Sequence, residues 1–298
     1  MMKDFVIYTV LVGDYDDIMQ PKVIDNRFDY ILFSNDFKES TCGVWEIKSI
    51  PNVMHGDNKR LSRYPKSHPE DMLSDYKASL YIDANIQIVR KWVYDRFVEL
   101  YEKGVEYAGI KLVLTGHDCI YDHAFEMCQF LVEHESNAIR QCHELYKRGF
   151  PRHFGLNENN VIFRKHTKRM KQVDEEWWWW IKNYSFRDQF SYMYCIWKYQ
   201  VPLVYFLPDG QDARTSTAFN LIQHNGKTNV IKLKIVKRGF VEKLRVKCKS
   251  LEKDKYLQKW HSIYKSKHYM LHLYLDGILV ILCNLPKLLI IFVKRFFR

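Results

Sequence analysis

Short apolar runs of strand length alternate with helix-like stretches from residue 5 to residue 206, and this alternation constrains the fold more than any other feature. Residues 5–11, 30–34, 44–50, 80–83, 107–110, 161–163 and 201–206 read as strands. Residues 58–64, 93–102, 124–147, 175–181 and 189–199 read as helices. Several strand candidates are apolar throughout rather than alternating, which suits strands buried on both faces. The pattern predicts an α/β domain with a Rossmann-like, mostly parallel central sheet over residues 1–225.

One candidate strand ends in a sudden polar break. Ser79-Leu80-Tyr81-Ile82 runs into Asp83-Ala84-Asn85. Open α/β sheets bind ligands at the C-terminal edge of their strands. A carboxylate there can hold a hard divalent cation, Mn²⁺ or Mg²⁺, and the cation can neutralise a diphosphate. That is the chemistry of a nucleotide-sugar site. Taken alone, the triplet also fits an ordinary surface turn.

Four further constellations bear on the choice. The loop Gly13-Asp14-Tyr15-Asp16-Asp17 follows the first strand, where a base and ribose would lie; an N-capping loop is the alternative. Arg60, Arg63, Lys66 and His68 precede the Asp83 strand, and cations there would offset a diphosphate and its leaving-group charge. A solvated basic face explains the same residues. Gly155-Leu156-Asn157-Glu158-Asn159-Asn160 reads as a polar lead into a short strand, with Glu158 and Asn159 supplying the acceptors and donors that sugar hydroxyls need. Asp188-Gln189 precedes an aromatic helix, as a helix cap, a base or a hydrogen-bond partner of an acceptor hydroxyl. Of the four consecutive Trp177 to Trp180, at least two should be core.

The seven cysteines are scattered and form no CxxC pair, which predicts a reducing compartment. The first residues enter a strand without a signal-peptide pattern, so the cytoplasm is expected. From residue 226 to the end, 18 Lys and Arg stand against 4 Asp and Glu, a surplus of 14. The whole chain carries +11, so the first 225 residues carry −3. Apolar residues recur at helical spacing within this basic stretch, and residues 271–293 are strongly apolar but broken by Asp276, Asn284, Pro286 and Lys287. A spanning helix needs about 20 consecutive apolar residues. Residues 226–298 are therefore expected to form a basic, amphipathic helical tail that docks on the inner face of an anionic membrane. A helical hairpin packed on the body or on a partner subunit, and a full anchor, are the alternatives.

The run Ile7-Tyr8-Thr9-Val10-Leu11-Val12-Gly13-Asp14-Tyr15-Asp16 resembles the start of a bacterial and plant family of GT-A-type glycosyltransferases, formerly known only as a domain of unknown function. Pro65-Lys66-Ser67-His68-Pro69, Tyr81-Ile82-Asp83-Ala84-Asn85-Ile86 and Asp118-Cys119-Ile120-Tyr121 continue the likeness. So do Gly149-Phe150-Pro151, Glu158 to His166, Trp177-Trp178 and Arg187-Asp188-Gln189-Phe190-Ser191, in order, over roughly residues 4 to 225. The resemblance implies a GT-A fold and transfer of a hexose-like sugar from a nucleotide sugar, a UDP-sugar first, to a cell-surface glycan or lipid-linked acceptor. It implies that Asp83 and Asn85 fill the DxD metal motif, with Asn85 bringing one charge fewer than a carboxylate. Asp188-Gln189 is similar to the Asp-Gln motif of glycogenin-like transferases, in which a late His also reaches the metal; His224 holds that place here. The implied catalytic residues are Asp188, Gln189 and Glu158. The donor would be bound by Gly13, Asp14, Tyr15, Arg60, Arg63, Lys66, His68, Asp83 and Asn159. Two rival readings stand beside the transferase. One is a basic module binding nucleic acid or membrane, although the body carries no nucleic-acid motif and nucleic acid is not the expected partner. The other is a metal-dependent sugar hydrolase.

Overall fold

The computed structural model describes residues 3–13, 16–113, 118–222, 240–250 and 252–296; at 240–243, 245 and 285–296 it describes backbone only. The described strands are β1 (Phe5–Val10), β2 (Phe28–Phe33), β3 (Thr41–Cys42), β4 (Trp45–Lys48), β5 (Ala78–Ile82), β6 (Ile86–Ile88), β7 (Tyr107–Lys111), β8 (Asn157–Lys165), β9 (Val204–Tyr205) and β10 (Phe219–Leu221). The helices are α1 (Asn58–Leu61), α2 (Pro69–Met72), α3 (Trp92–Glu102), α4 (Ile120–Gln129), α5 (Glu135–Lys147), α6 (Lys168–Asn183), α7 (Tyr192–Lys198), α8 (Phe240–Ser250), α9 (Lys253–Lys265) and α10 (Tyr269–Phe296). The chain forms two compact units, Met1–Asp118 with Phe154–Ile231, and Cys119–His153 with Lys232–Arg298.

The first unit is α/β. Its 8-stranded sheet has the order β3-β4-β2-β1-β5-β8-β7-β9. β1 pairs in parallel with β2 and β5, β2 with β4, and β7 with β9. β8 runs antiparallel to both β5 and β7, and β3 antiparallel to β4. β6 and β10 form a separate antiparallel pair. The chain leaves β1 toward β2 and β4, then returns to lay β5 on the other flank of β1. That reversal is the topological switch point, where ligands of open α/β sheets bind.

Both faces of the sheet are covered, which is why β1 and β5 are apolar along their length. On one face Phe97 of α3 meets the rings of Phe5, Phe28 and Phe163 at 4.9 to 5.1 Å, mostly edge-on. On the other, Tyr8 and Tyr81 meet at 5.3 Å. Trp177 and Trp180 are fully buried, as the helical spacing of the four tryptophans requires.

Several boundaries differ from the sequence expectation, each for a local reason. The polar stretch 155–160 was expected to lead into a short strand at 161–163, yet β8 already includes Asn157 to Asn160. Some of their polar groups are taken up internally: the Asn157 amide donates to the Tyr107 hydroxyl, and Gln189 donates to the carbonyls of Asn157 and Glu158. Asn159 has φ 58°, a left-handed conformation that Asn tolerates, next to the register shift between Gly109 and Lys111. The expected helix at 124–147 is two helices, α4 and α5, separated at Leu131, whose φ is 59°. The helix expected at 189–199 is a 3-10 turn at Asp188–Phe190 followed by α7. β9 is shorter than the run 201–206, since Pro202 has no N–H to give a ladder.

The second unit corrects the expected division at residue 225, because the basic tail does not stand alone. It packs with α4 and α5, which the sequence assigned to the body. The Trp260 indole donates to the Tyr121 carbonyl at 3.1 Å, and Tyr264 stacks on Tyr121 at 4.7 Å. Buried Lys249 bridges Glu135 at 3.1 Å and Asp276 at 3.0 Å. α10 is also continuous through the expected break at 283–287. Proline inside a helix costs about 3 kcal/mol, yet the helix runs on through Pro286, and the Asn284 amide donates to the Val280 carbonyl at 2.9 Å. Among the described residues, no helix is long and apolar enough to cross a membrane.

His166, just past β8, gives the first unit a marked acid sensitivity. Its Nδ1 lies 2.8 Å from the Tyr76 carbonyl and its Nε2 2.9 Å from the Ser79 hydroxyl, so the neutral ring both donates and accepts. Burial, reinforced by the Arg164 charge, lowers its pKa to about 4. The unfolded chain binds a proton near pH 6.5 that the folded chain refuses. Stability is thus full above about pH 6.5 and falls as pH drops toward 4, by about 3 kcal/mol at about 1.4 kcal/mol per pKa unit. Buried His68 is shifted in the same direction. Urea melts between pH 4 and 7 should show this slope, and His166→Gln should flatten most of it; an unchanged slope would contradict the assignment.

Candidate functional site

Asp83 is the first residue after β5, at the C-terminal edge of the sheet and beside the switch point. Its N–H donates to the Asn160 carbonyl at 2.9 Å, which ties the end of β5 to β8. The Tyr81 hydroxyl donates to Asp83 Oδ1 at 2.6 Å. Burial, with the Asp83 charge second, pushes the Tyr81 hydroxyl well above its ordinary pKa, so it remains a donor. The Asp83 side chain keeps 38% exposure, so the carboxylate is open to a ligand.

Lys66 joins Asp83 to Asp188. It sits in a 3-10 turn, Pro65–Ser67, placed by Pro65 and by the Tyr8 hydroxyl, which donates to the Lys66 carbonyl at 3.4 Å. Its ammonium is buried, 2.5 Å from Asp188 Oδ2, 3.7 Å from Asp83 Oδ1 and over the Tyr81 ring at 4.6 Å. Arg63 Nε adds a second cation, 3.5 Å from Asp188. Burial alone would raise the Asp188 pKa, but the Lys66 and Arg63 charges outweigh it and hold the carboxyl below the usual range. The Trp177 indole donates to the Asp188 carbonyl at 3.0 Å, so the tryptophan core fixes this turn. Arg187, which precedes the turn, makes no side-chain cap to it. Asp188 thus sits in a buried ion pair with Lys66.

A second group lies at the start of β8. Glu158 Oε2 accepts from the Asn160 amide at 2.8 Å, and its Oε1 is paired with Arg214. Burial raises the Glu158 pKa despite that cation. Both side-chain atoms of Asn159, and the Oδ1 atoms of Asn157 and Asn160, are buried without a hydrogen-bond partner. Each such group is costly to leave unmade, about 1–3 kcal/mol.

Other candidates are placed differently. Arg60 directs Nε to the Ile181 carbonyl, one terminal nitrogen to the Tyr184 carbonyl and the other to Asp57. It closes the end of α6 and is not a free cation. His68 stacks on Tyr64 at 4.1 Å and is buried against Trp178. Burial lowers its pKa, which corrects the expectation of a cationic histidine. Asn85 is buried, and its amide donates to the Ile222 carbonyl at 2.8 Å. Gly13, with φ 73°, follows β1 and donates its N–H to Asp36 at 2.6 Å. Asp14, Tyr15 and His224 lie outside the described residues.

Sequence reading missed Tyr81, Arg214 and the buried network of Tyr8, Arg164 and Asp174. Arg164 is the one with a signal: a charged residue directly after the apolar Val161-Ile162-Phe163 within a strand. It pairs with Asp174 at 2.9 Å and donates to the Tyr8 hydroxyl, both fully buried.

Among the described residues, the grouping of His, Cys and carboxylates close enough to share a metal is Cys119, Asp122 and His153, in the second unit. Arg152 and His261 already reach Asp122, at 3.2 and 2.6 Å, so that carboxylate already has partners. At the sheet edge the hard oxygen donors are those of Asp83 and Asn85. Mg²⁺-type sites draw one or two carboxylates from the protein and complete the shell with phosphate and water, so the single open carboxylate of Asp83 fits such an ion. No protein-family model matches this chain, and no curated protein matches it either.

Proposed function

We propose that the protein is a GT-A-type glycosyltransferase that moves a sugar from a nucleotide-sugar donor, a UDP-sugar first, to a cell-surface glycan or lipid-linked acceptor. The observation that carries this reading is Lys66 held between Asp83 and Asp188 at the switch point of a Rossmann-like sheet. A diphosphate needs cations at a strand edge, and Lys66 and Arg63 supply two. Asp83 and Asn85 are the residues that would hold Mn²⁺ or Mg²⁺. Such an ion supplies Lewis-acid neutralisation of the departing diphosphate.

The protein's own groups divide the remaining work. Asp188 stays ionised and positions Lys66, and its depressed pKa makes it a weak base. Glu158, with its raised pKa, is the better proton acceptor for an incoming hydroxyl. The unsatisfied amide of Asn159 and the unsatisfied Oδ1 atoms of Asn157 and Asn160 match a hydroxyl-rich ligand, which offers donors and acceptors together.

Release of nucleoside diphosphate from a panel of nucleotide sugars, with and without candidate acceptors, tests the reading. Glu158→Gln should cut turnover by about 10²–10⁴-fold, the usual range for a lost general base. The acid limb of the wild-type rate profile should lie above the ordinary glutamate value of about 4.3. No release with any donor would end the proposal, and release without transfer to any acceptor would favour the hydrolase.

A further inference from the structure

We infer that one face of α10 seats the protein on the surface of an anionic phospholipid bilayer. Leu271, Tyr274, Leu275, Ile278, Leu279 and Leu282 are 48% to 60% exposed. Their spacing of three, one, three, one and three places them on one stripe of the helix, about 17 Å long at 1.5 Å per residue. The opposite stripe, Leu273, Asp276, Val280 and Asn284, is buried. The helix thus already has its packing face, and the exposed ridge is a second one. Contiguous exposed apolar surface of this kind marks an interaction site.

Charge selects the occupant. The only acid of α10, Asp276, faces inward onto Lys249 at 3.0 Å and Lys259 at 3.5 Å. Exposed Lys265 and Lys267 precede the helix. Residues 285–298 add Lys287, Lys294, Arg295 and Arg298 without an acid. A second copy on the ridge would bring one basic tail, with its surplus of 14 charges, against another. Anionic headgroups offset the charge while the acyl boundary takes the apolar ridge, the arrangement of an interfacial helix. Among the described residues no helix is long and apolar enough to span, so the ridge lies in the interface plane. This inference goes beyond the transferase reading and stands without it.

The test is flotation of the full-length protein with vesicles of phosphatidylcholine alone and of phosphatidylcholine with one quarter phosphatidylglycerol. Binding to the anionic vesicles should exceed binding to the neutral ones at least tenfold and weaken in high salt. The double variant Ile278→Glu, Leu282→Glu should lose at least tenfold while keeping its circular dichroism. If that charged pair unfolds the protein, Leu275→Gln with Leu279→Gln, milder changes on the same ridge, takes its place and should show the same loss. Failure of the wild type to float, or undiminished binding by a folded ridge variant, would overturn the proposal. So would a wild-type dimer that the ridge variants split, which would assign the ridge to a second copy, or resistance to alkaline carbonate on native membranes, which would mean spanning. Nucleotide binding measured on the same preparations reports on the transferase reading separately.

Discussion

Replacing Asp83 with alanine is expected to lower sugar transfer at least a thousandfold and to shift the melting temperature by no more than about 5 °C. A thousandfold corresponds to about 4 kcal/mol of transition-state stabilisation, the scale reached when a preorganised charge is removed from a reacting centre. Stability should change little because the carboxylate is open to solvent and its contact with Lys66 is long, 3.7 Å. The main structural loss is the hydrogen bond from Tyr81, about 1 kcal/mol. Steady-state turnover beside a thermal melt of the same sample checks both halves. Full turnover in Asp83→Ala, above all in EDTA, would remove both the metal and this residue from the chemistry.

The largest effect on stability is expected at Arg164, beneath the site rather than in it. Arg164→Met should cost about 3–5 kcal/mol, because it leaves the Asp174 carboxylate buried and unpaired. Burial already raises the Asp174 pKa, opposed by the Arg164 charge, so without that charge the group would take up a proton on folding. In a protein of this size the melting temperature should fall by roughly 10 °C. Arg164→Met combined with Asp174→Leu should recover most of the loss, since an apolar pair of similar volume replaces a buried ion pair at little cost. A double-mutant cycle in urea measures this directly. Because Arg164 donates to Tyr8, and Tyr8 donates to the Lys66 carbonyl, turnover per folded molecule should fall as well. A loss under about 1 kcal/mol would mean that the buried Arg164–Asp174 pair does not hold this network together.

The parts of this architecture legible in the sequence are those dictated by short-range pattern. β1, β2 and β5 announce themselves as apolar runs because both faces of the sheet are covered. Asp83 announces itself because a carboxylate ends such a run. The cationic stretch before it was legible only as composition. Arg60, Arg63, Lys66 and His68 lie within nine residues, yet a four-residue helix and a 3-10 turn aim them differently. Arg60 finds its acceptor 121 residues away at Ile181, and Lys66 its partner 122 residues away at Asp188. No local periodicity encodes such a pairing. The same holds for the second unit. The helical spacing of the tail was plain, but its partners, α4 and α5, are inserted more than 90 residues earlier in the chain.

The central claim is that a nucleoside diphosphate and a divalent cation meet at Asp83 and Lys66, and a thermal-shift titration tests it most directly. At a hundredfold excess over its dissociation constant, a ligand stabilises the folded state by about 2.7 kcal/mol. UDP with Mn²⁺ should therefore raise the wild-type melting temperature by several degrees, and UDP with EDTA by clearly less. Asp83→Ala, folded and otherwise normal, should lose the Mn²⁺-dependent part. No shift with any nucleoside diphosphate, or an equal shift in Asp83→Ala with EDTA present, would contradict the account.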